Sequence, residues 1–599
     1  MEFLLTLIIS SVVLWFVFLR RHGRGPRAYI CRKQNCYDDK SYKKKFIQVP
    51  IMRGFKLKLL TKLMSSLFGN IWLVKYINAE AEFFDFRRTS FEELPTFYPT
   101  AYLQVKHDDE KSFTHADVEN LIHGSQKSEN FKFVSMSQIL SHYKNGTITP
   151  SQLAEKTLRI LGRMRKYNII VDFDAENLKK MAAASTDRYR DKRTLSPIDG
   201  IFVVIKDEYP ATGLTCSSGT TFIGRNSCKE DCAMVARLRE LGAIVFAVAN
   251  MHEFGLGTNG NNVNKGYGRC HNPYNENHFT GGSSSGSAAA VASGIVPVAL
   301  GTDGGGSIRI PSSYCGVVGL KPTFGRLSSA KMHSHANTVS HCGPICGNVR
   351  DTAAMFSLLA GADQRFPEGT NQPKVILPKL KENLDGLKIG IDRRFFEDCT
   401  EEVLEHCNRA LHHLERSGAE IVDLEIAELN ECSVAHRITI LSEMTTSAQK
   451  DYDNHYDEWT LPNRMLFEMG NHITAVDYVQ ANKQRTRMLG IIREVFEQVD
   501  VIVTPTCAHA APKVHPGDVK YGAANANQDT MNMRFSTLGN FTGIPGISIP
   551  VGYNDSNLPI GFQIMASWWR EDLIFQVAEY LENKIKLKRP SVYFNLVDE

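Results

Sequence analysis

Eleven of the 44 glycines fall between residues 281 and 325, and this clustering restricts the fold more than any other feature of the chain. From Gly281 to Arg326 the sequence reads GGSSSGSAAAVASGIVPVALGTDGGGSIRIPSSYCGVVGLKPTFGR. Glycine packed beside serine lets a backbone approach a ligand closely or take conformations that a Cβ forbids. A flexible Gly/Ser linker has a similar composition. Here, however, Ala288–Ala292 is helix-forming, Ile295–Leu300 is strand-like and Tyr314–Leu320 is apolar again. The stretch reads as a structured site.

Two chemistries fit it. Gly282-x-Ser284-x-Gly286 has the form of a nucleophile elbow, which needs a strand immediately before it. His271–Thr280 (HNPYNENHFT) is a polar loop instead, which weighs against the elbow. The second reading uses both glycine-serine clusters. Gly304, Gly305 and Gly306, followed by Ser307, supply consecutive backbone N–H groups that can converge on one oxygen, as an oxyanion hole does. Ser307 is then a nucleophile and needs a base. Lys206 ends the strand-like run Ile201–Ile205, and burial there lowers a lysine pKa and permits a neutral amine. Taken alone, such a lysine reads as snorkelling or ion-paired. To serve Ser307 it needs a relay hydroxyl, and Ser283 is the candidate.

The rest of the chain from about residue 130 alternates strand and helix patterns. Ile201–Ile205, Ile244–Val248, Lys388–Ile391, Val499–Val503 and Ile547–Val551 read as buried strands. Ala233–Leu241, Ser284–Ala292, Thr352–Leu359, Glu402–Arg416 and Asp572–Glu582 read as helices. This alternation predicts an α/β unit with a mixed sheet covered by helices. Segments 360–385 and 508–530 read as loops within it, and no internal repeat divides it.

Lys206-Asp207, GGSSSGSAAA at 281–290, GTDGGGSIRIPSS at 301–313 and GVVGLKPTFGR at 316–326 together resemble the amidase signature family. The similarity runs over roughly residues 135–590 and includes ANMHEFGLGT (249–258), VTPT (503–506), TGIPGISIPVG (542–552) and PIGFQI (559–564). It implies the amidase-signature α/β fold, a large twisted mixed sheet with helices on both faces. It also implies Lys206 as base, Ser283 as relay and Ser307 as acyl-forming nucleophile, with Gly304, Gly305, Gly306 and Ser307 forming the oxyanion hole. A cis peptide bond between Gly282 and Ser283 belongs to the same resemblance. Thr302, Asp303 and Arg309 are expected to position the loop, Arg309 by pairing with a carboxylate. No metal and no cofactor is expected, and the HExxH, GxxxxGK[ST] and EF-hand patterns are absent from the sequence.

The N-terminus points to a membrane. Phe3–Leu19 is a run of seventeen uncharged residues, at the short end of a bilayer-spanning helix. Glu2 precedes it and Arg20-Arg21-His22 follows, which argues for a retained transmembrane helix over a cleaved signal peptide. Residues 20–58 carry thirteen basic side chains against Asp38 and Asp39, a local +11 that leaves the remaining chain at −7 within a total of +4. The positive-inside rule then places the catalytic domain on the cytosolic side. A near-neutral total excludes nucleic acid held by a dominant basic surface as the main partner. Anionic headgroups fit the block. In Phe55–Ile77 the stripe Leu60, Leu63, Met64, Leu67, Phe68 and Ile71 predicts an amphipathic helix flanked by Lys56, Lys58, Lys62 and Lys75. It suits the headgroup plane and the body of the protein equally. Thirteen cysteines without a regular framework read as free thiols in a reducing compartment. Sequons at Asn145, Asn540 and Asn554 go unused on a cytosolic protein.

Within the family, the anchor, the basic block and the wording of the core motifs resemble the fatty acid amide hydrolases, with a plant-type core and an animal-type anchor. The resemblance implies hydrolysis of fatty acid amides such as N-acylethanolamines to a fatty acid and an amine, on the endoplasmic reticulum or another endomembrane, with a homodimer left open. The alternatives are a glutamine amidase component of a tRNA amidotransferase, a broad short-chain amidase, or a non-enzymatic membrane scaffold. The expected domains are an anchor (1–19), a basic membrane-proximal extension (20–130) and the catalytic domain (131–599).

Overall fold

The computed structural model describes residues 30–34, 42–44, 50–100, 113–124, 131–264, 266–369 and 371–598. The expected anchor over Phe3–Leu19 and much of the basic block lie outside these residues. Among the described residues no helix is long and apolar enough to cross a membrane.

The apolar, β-branched runs become strands of one mixed sheet of eleven among the described residues. In chain order these are β1 (Ile170–Phe173), β2 (Phe202–Lys206), β3 (Ile244–Ala249), β4 (Val298–Asp303), β5 (Val318–Lys321), β6 (His341–Cys346), β7 (Lys388–Ile391), β8 (Glu420–Asp423), β9 (Val501–Pro505), β10 (Gly546–Tyr553) and β11 (Pro559–Ala566). Across the sheet the order is β8-β7-β9-β11-β10-β5-β6-β4-β2-β3-β1. The triplets β8-β7-β9 and β4-β2-β3 are parallel, and the strands between them pair antiparallel. Strands covered on both faces need apolar residues at every position, and every residue of β2, β3 and β4 is buried. Helices Ala233–Glu240, Ser285–Ala292, Val349–Leu359, Glu401–Glu415 and Glu571–Glu582 pack on the sheet, close to the expected bounds.

Segment 508–530, read as loop, instead contains Pro516–Tyr521 and the start of Ala526–Met533, both helical. The residues that read as loop formers act as helix starts. The His515 and Asn525 side chains accept N–H groups of the first turns, and Pro516 occupies the first turn of its helix.

A second apolar core lies beneath α1 (Leu429–His455) and α2 (Ala475–Phe496) and takes in Phe83, Phe86 and Phe91 of the extension. Ion pairs fasten the extension to the body. Arg87 pairs with Asp477 at 2.5 Å, Arg32 with Glu428 at 2.7 Å and Arg53 with Asp518 at 2.6 Å. Part of the basic block therefore faces buried carboxylates of the protein rather than a membrane. The expected helix over 55–77 is also divided. Gly54–Met64 and Val74–Glu80 are α-helical, with a π-turn over Gly69–Leu73 between them. Leu57, Thr61 and Met64 are buried against the body, whereas Phe55, Leu67, Phe68 and Trp72 are exposed, Leu67 by 74% and Phe68 by 72%.

Candidate active site

The parallel strands β4, β2 and β3 end close together, and open α/β sheets place ligands outside the carboxyl ends of such strands. The pairing Ile205↔Leu300 sets Lys206 beside Gly301 and Thr302. The pairing Lys206↔Ala249 sets it beside the turn that follows β3. Lys206 is 1% exposed. Its Nζ donates to Ser283 Oγ at 2.7 Å and to Thr302 Oγ1 at 2.6 Å. Burial pushes the Lys206 pKa below the ordinary lysine value, and the charge of Glu208, 3.3 Å from Nζ, acts against that shift.

Ser283 follows a cis peptide bond from Gly282 and lies just before the helix Ser285–Ala292. Its neighbour Ser284 ties the first glycine-serine cluster to the second. Ser284 Oγ donates to the carbonyl of Thr302 at 3.1 Å, and Ser284 N–H donates to the carbonyl of Ser307 at 3.2 Å. From Phe279 to Ser328 every residue is buried except Gly304 and Ser307. Ser307 is therefore the serine of this stretch that a substrate can reach.

Asp303 and Arg309 bracket the Ser307 turn, and both are wholly buried. The Asp303 carboxylate accepts from the N–H groups of Gly306 at 2.7 Å and Ile308 at 3.1 Å, and from Arg309 Nη2 at 2.9 Å. This corrects the sequence reading at one point. The Gly306 amide, offered there to an oxyanion, is committed to Asp303, because a buried carboxylate must find donors. Arg309 also donates to Gln563 Oε1 at 2.7 Å and to Asn540 Oδ1 at 2.6 Å. Asn540, the centre of a sequon, is wholly buried within this network.

Thr302, expected to position the loop, takes a part that the sequence reading missed. Its Oγ1 accepts from Lys206 and donates to Glu208 Oε2 at 2.6 Å, so the hydroxyl bridges the two. Glu208 was missed as well. It lies two residues after Lys206, but nothing in the pattern marked its direction. His436, on α1, donates from Nε2 to the carbonyl of Gly304 at 2.7 Å, and burial lowers its pKa to about 4. No sequence signal joins residues so far apart. Ile440 of the same helix and Met533 face the glycine turn. A Cβ at Gly304 would meet Ile440 Cδ1 at 3.3 Å, and one at Gly305 would meet Met533 Sδ at 3.1 Å.

Two clefts lie elsewhere. One, of about 480 Å³, is lined by residues that include His278, Glu402, His509 and Gln528, and the other, of about 300 Å³, by residues that include Leu161 and Phe173. Neither is lined by Lys206, Ser283 or Ser307. Among the described residues no group of histidine, cysteine and carboxylate side chains is arranged to hold a metal ion.

The Amidase family profile matches residues 154–575. A fatty acid amide hydrolase of Medicago truncatula is 34% identical over 587 residues, covering 93% of this chain and 96% of that protein. A fatty acid amide hydrolase of Arabidopsis thaliana is 33% identical over 595 residues, again covering 93% of this chain and 96% of that protein. Among solved structures, an amidase matches with a TM-score of 0.68 at 26% identity, covering 76% of this chain and 100% of that one. With the profile spanning most of its length and relatives above 30% identity nearly end to end, this chain belongs to the amidase signature family and is an amide-hydrolysing enzyme.

Proposed function

We propose that this enzyme is a membrane-associated serine hydrolase that cleaves fatty acid amides, N-acylethanolamines among them, to a free fatty acid and an amine. The observation that carries the chemistry is the 2.7 Å contact between buried Lys206 Nζ and Ser283 Oγ, beside a partly exposed Ser307. Neutral Lys206 accepts a proton from Ser283, Ser283 takes one from Ser307, and Ser307 Oγ attacks the amide carbonyl. The amides of Gly304, Gly305 and Ser307 hold the oxyanion, where losing one donor typically costs about 10²–10³ in rate. The proton returns through Ser283 to the leaving nitrogen, which departs poorly as an anion. Water then releases the acyl group from Ser307 by the reverse path.

The lipid part of the reading is supported by the Medicago truncatula relative, named fatty acid amide hydrolase, and by the apolar Ile440 and Met533 beside the glycine turn. Phe55, Leu67, Phe68 and Trp72 are exposed among Lys56, Lys58, Lys62 and Lys75, which suits contact with a cytosolic endomembrane face. The run Phe3–Leu19 is its anchor.

The test is hydrolysis of N-acylethanolamines of several chain lengths by membranes carrying the full chain, beside a Ser307→Ala variant. Activity on long-chain amides that disappears in the variant is the expected result. Unchanged hydrolysis by the variant sinks the nucleophile. Activity confined to glutamine or short amides sinks the lipid substrate.

A further inference from the structure

Three oxygens surround Lys206 Nζ: Ser283 Oγ at 2.7 Å, Thr302 Oγ1 at 2.6 Å and Glu208 Oε2 at 3.3 Å. The Thr302 hydroxyl spends its own hydrogen on Glu208. An amine that is to accept a proton from Ser283 has two N–H bonds and one lone pair. When the ammonium loses one proton, Thr302 and Glu208 accept its two remaining N–H bonds, and the position that donated to Ser283 becomes the lone pair. The other carboxylate oxygen lies on the same side, since a Cβ at Gly255 would meet Glu208 Oε1 at 3.1 Å and Ser283 Oγ at 3.5 Å.

We propose that Glu208 is the positioning residue of this base. It aims the Lys206 lone pair at Ser283 through Thr302 and sets the pH at which that lone pair becomes available. The inference rests on the Lys206–Ser283–Ser307 reading.

Other groups also face Lys206, and none of them takes this role. Asp303, at the end of β4, is engaged by Arg309. Cys342 on β6 is a thiol that burial raises to about 12. His252, in the turn after β3, is lowered to about 4, first by burial and then by Lys206 itself. His335, from the loop before β6, is lowered by burial. The carboxylate that acts on Lys206 directly is Glu208. An anion there favours the ammonium, so it raises the pH needed to free the base.

The experiment is the pH dependence of kcat/KM for the full chain, with Glu208→Gln and Glu208→Asp beside wild type. The rate at which a fluorophosphonate labels Ser307 is measured over the same pH range. In Glu208→Gln the acidic limb moves to lower pH by about one unit, a roughly tenfold gain at a fixed pH on the limb relative to that variant's own plateau. In Glu208→Asp, where the charge is kept but withdrawn by one methylene, the limb moves the same way by less. A structural loss alone lowers the plateau without moving the limb. If Glu208→Gln does not fold, the Glu208→Asp limb decides by itself. A limb that coincides with wild type, in a protein whose Ser307 is labelled, overturns the role of Glu208 alone. Labelling that persists in Ser307→Ala overturns the underlying serine-serine-lysine reading, and this proposal with it.

Discussion

The Asp303 carboxylate and the Arg309 guanidinium meet 2.9 Å apart with neither side chain exposed, and the turn that carries Ser307 closes between them. Burial alone would raise the Asp303 pKa, but Arg309 holds its carboxyl well below the usual carboxylate range. Removing one partner of such a pair leaves a buried charge uncompensated, at a cost of about 3–5 kcal/mol. Arg309→Met therefore lowers the thermal midpoint by several degrees and abolishes fluorophosphonate labelling of Ser307. A variant that keeps both its midpoint and its labelling would show that the turn is held by other means.

Lys206 and Ser283 act as one unit in the proposed proton path. Positioned acid–base groups are worth about 10²–10⁴ in rate. Lys206→Ala and Ser283→Ala each lower kcat/KM by that order, and the double variant loses about as much as either single one. Losses that multiply would place the two residues in separate steps.

His436 and His252 are both buried with pKa values lowered to about 4, chiefly by burial. A histidine depressed in the folded state contributes full stability above the unfolded value of about 6.5. That stability is lost as the pH falls toward 4, because the unfolded chain takes up the proton first. Each residue contributes a loss of roughly 3 kcal/mol across this window. Urea unfolding at pH 7 and pH 4.5 measures it, and the pH-dependent difference shrinks in His436→Gln. An unaltered difference in that variant removes His436 from the explanation.

Gly306 has φ +114°, and a Cβ there would lie 2.6 Å from Ser536 Oγ and 2.7 Å from Ile310 Cδ1. Gly306→Ala forces the turn to shift or to hold a strained backbone, at a cost of about 1–3 kcal/mol. A lower urea midpoint together with a lower kcat is expected. Wild-type values for both would mean that the turn tolerates a side chain.

Leu67 and Phe68 are exposed, so Leu67→Glu/Phe68→Glu removes no internal packing and changes stability by less than about 0.5 kcal/mol. If this face meets the bilayer, the variant loses several-fold in hydrolysis of a long-chain amide presented in anionic vesicles. It loses little when the same amide is dispersed in detergent. Equal losses in both presentations argue against a membrane role for these two side chains.

Much of the fold is legible in the sequence because its signals are local. The apolar β-branched runs become β2, β3, β7, β9 and β10, and the helical stretches between them form close to their expected bounds. The same locality brings Lys206, Ser283 and Ser307 to attention, since glycine-serine clusters and a lysine at a strand end are patterns of neighbouring residues. What only the tertiary structure decided is how donors and acceptors from distant segments are matched. It gives the Gly306 amide to Asp303, places His436 of α1 on the carbonyl of Gly304, and aims Glu208 at Lys206 through Thr302. It also turns Arg32 and Arg53 of the basic block toward buried carboxylates of the body. The physical reason is common to all of these. Periodicity and glycine content report the preferences of a single stretch of backbone, whereas satisfying a buried polar group depends on whichever partner packing brings within about 3 Å.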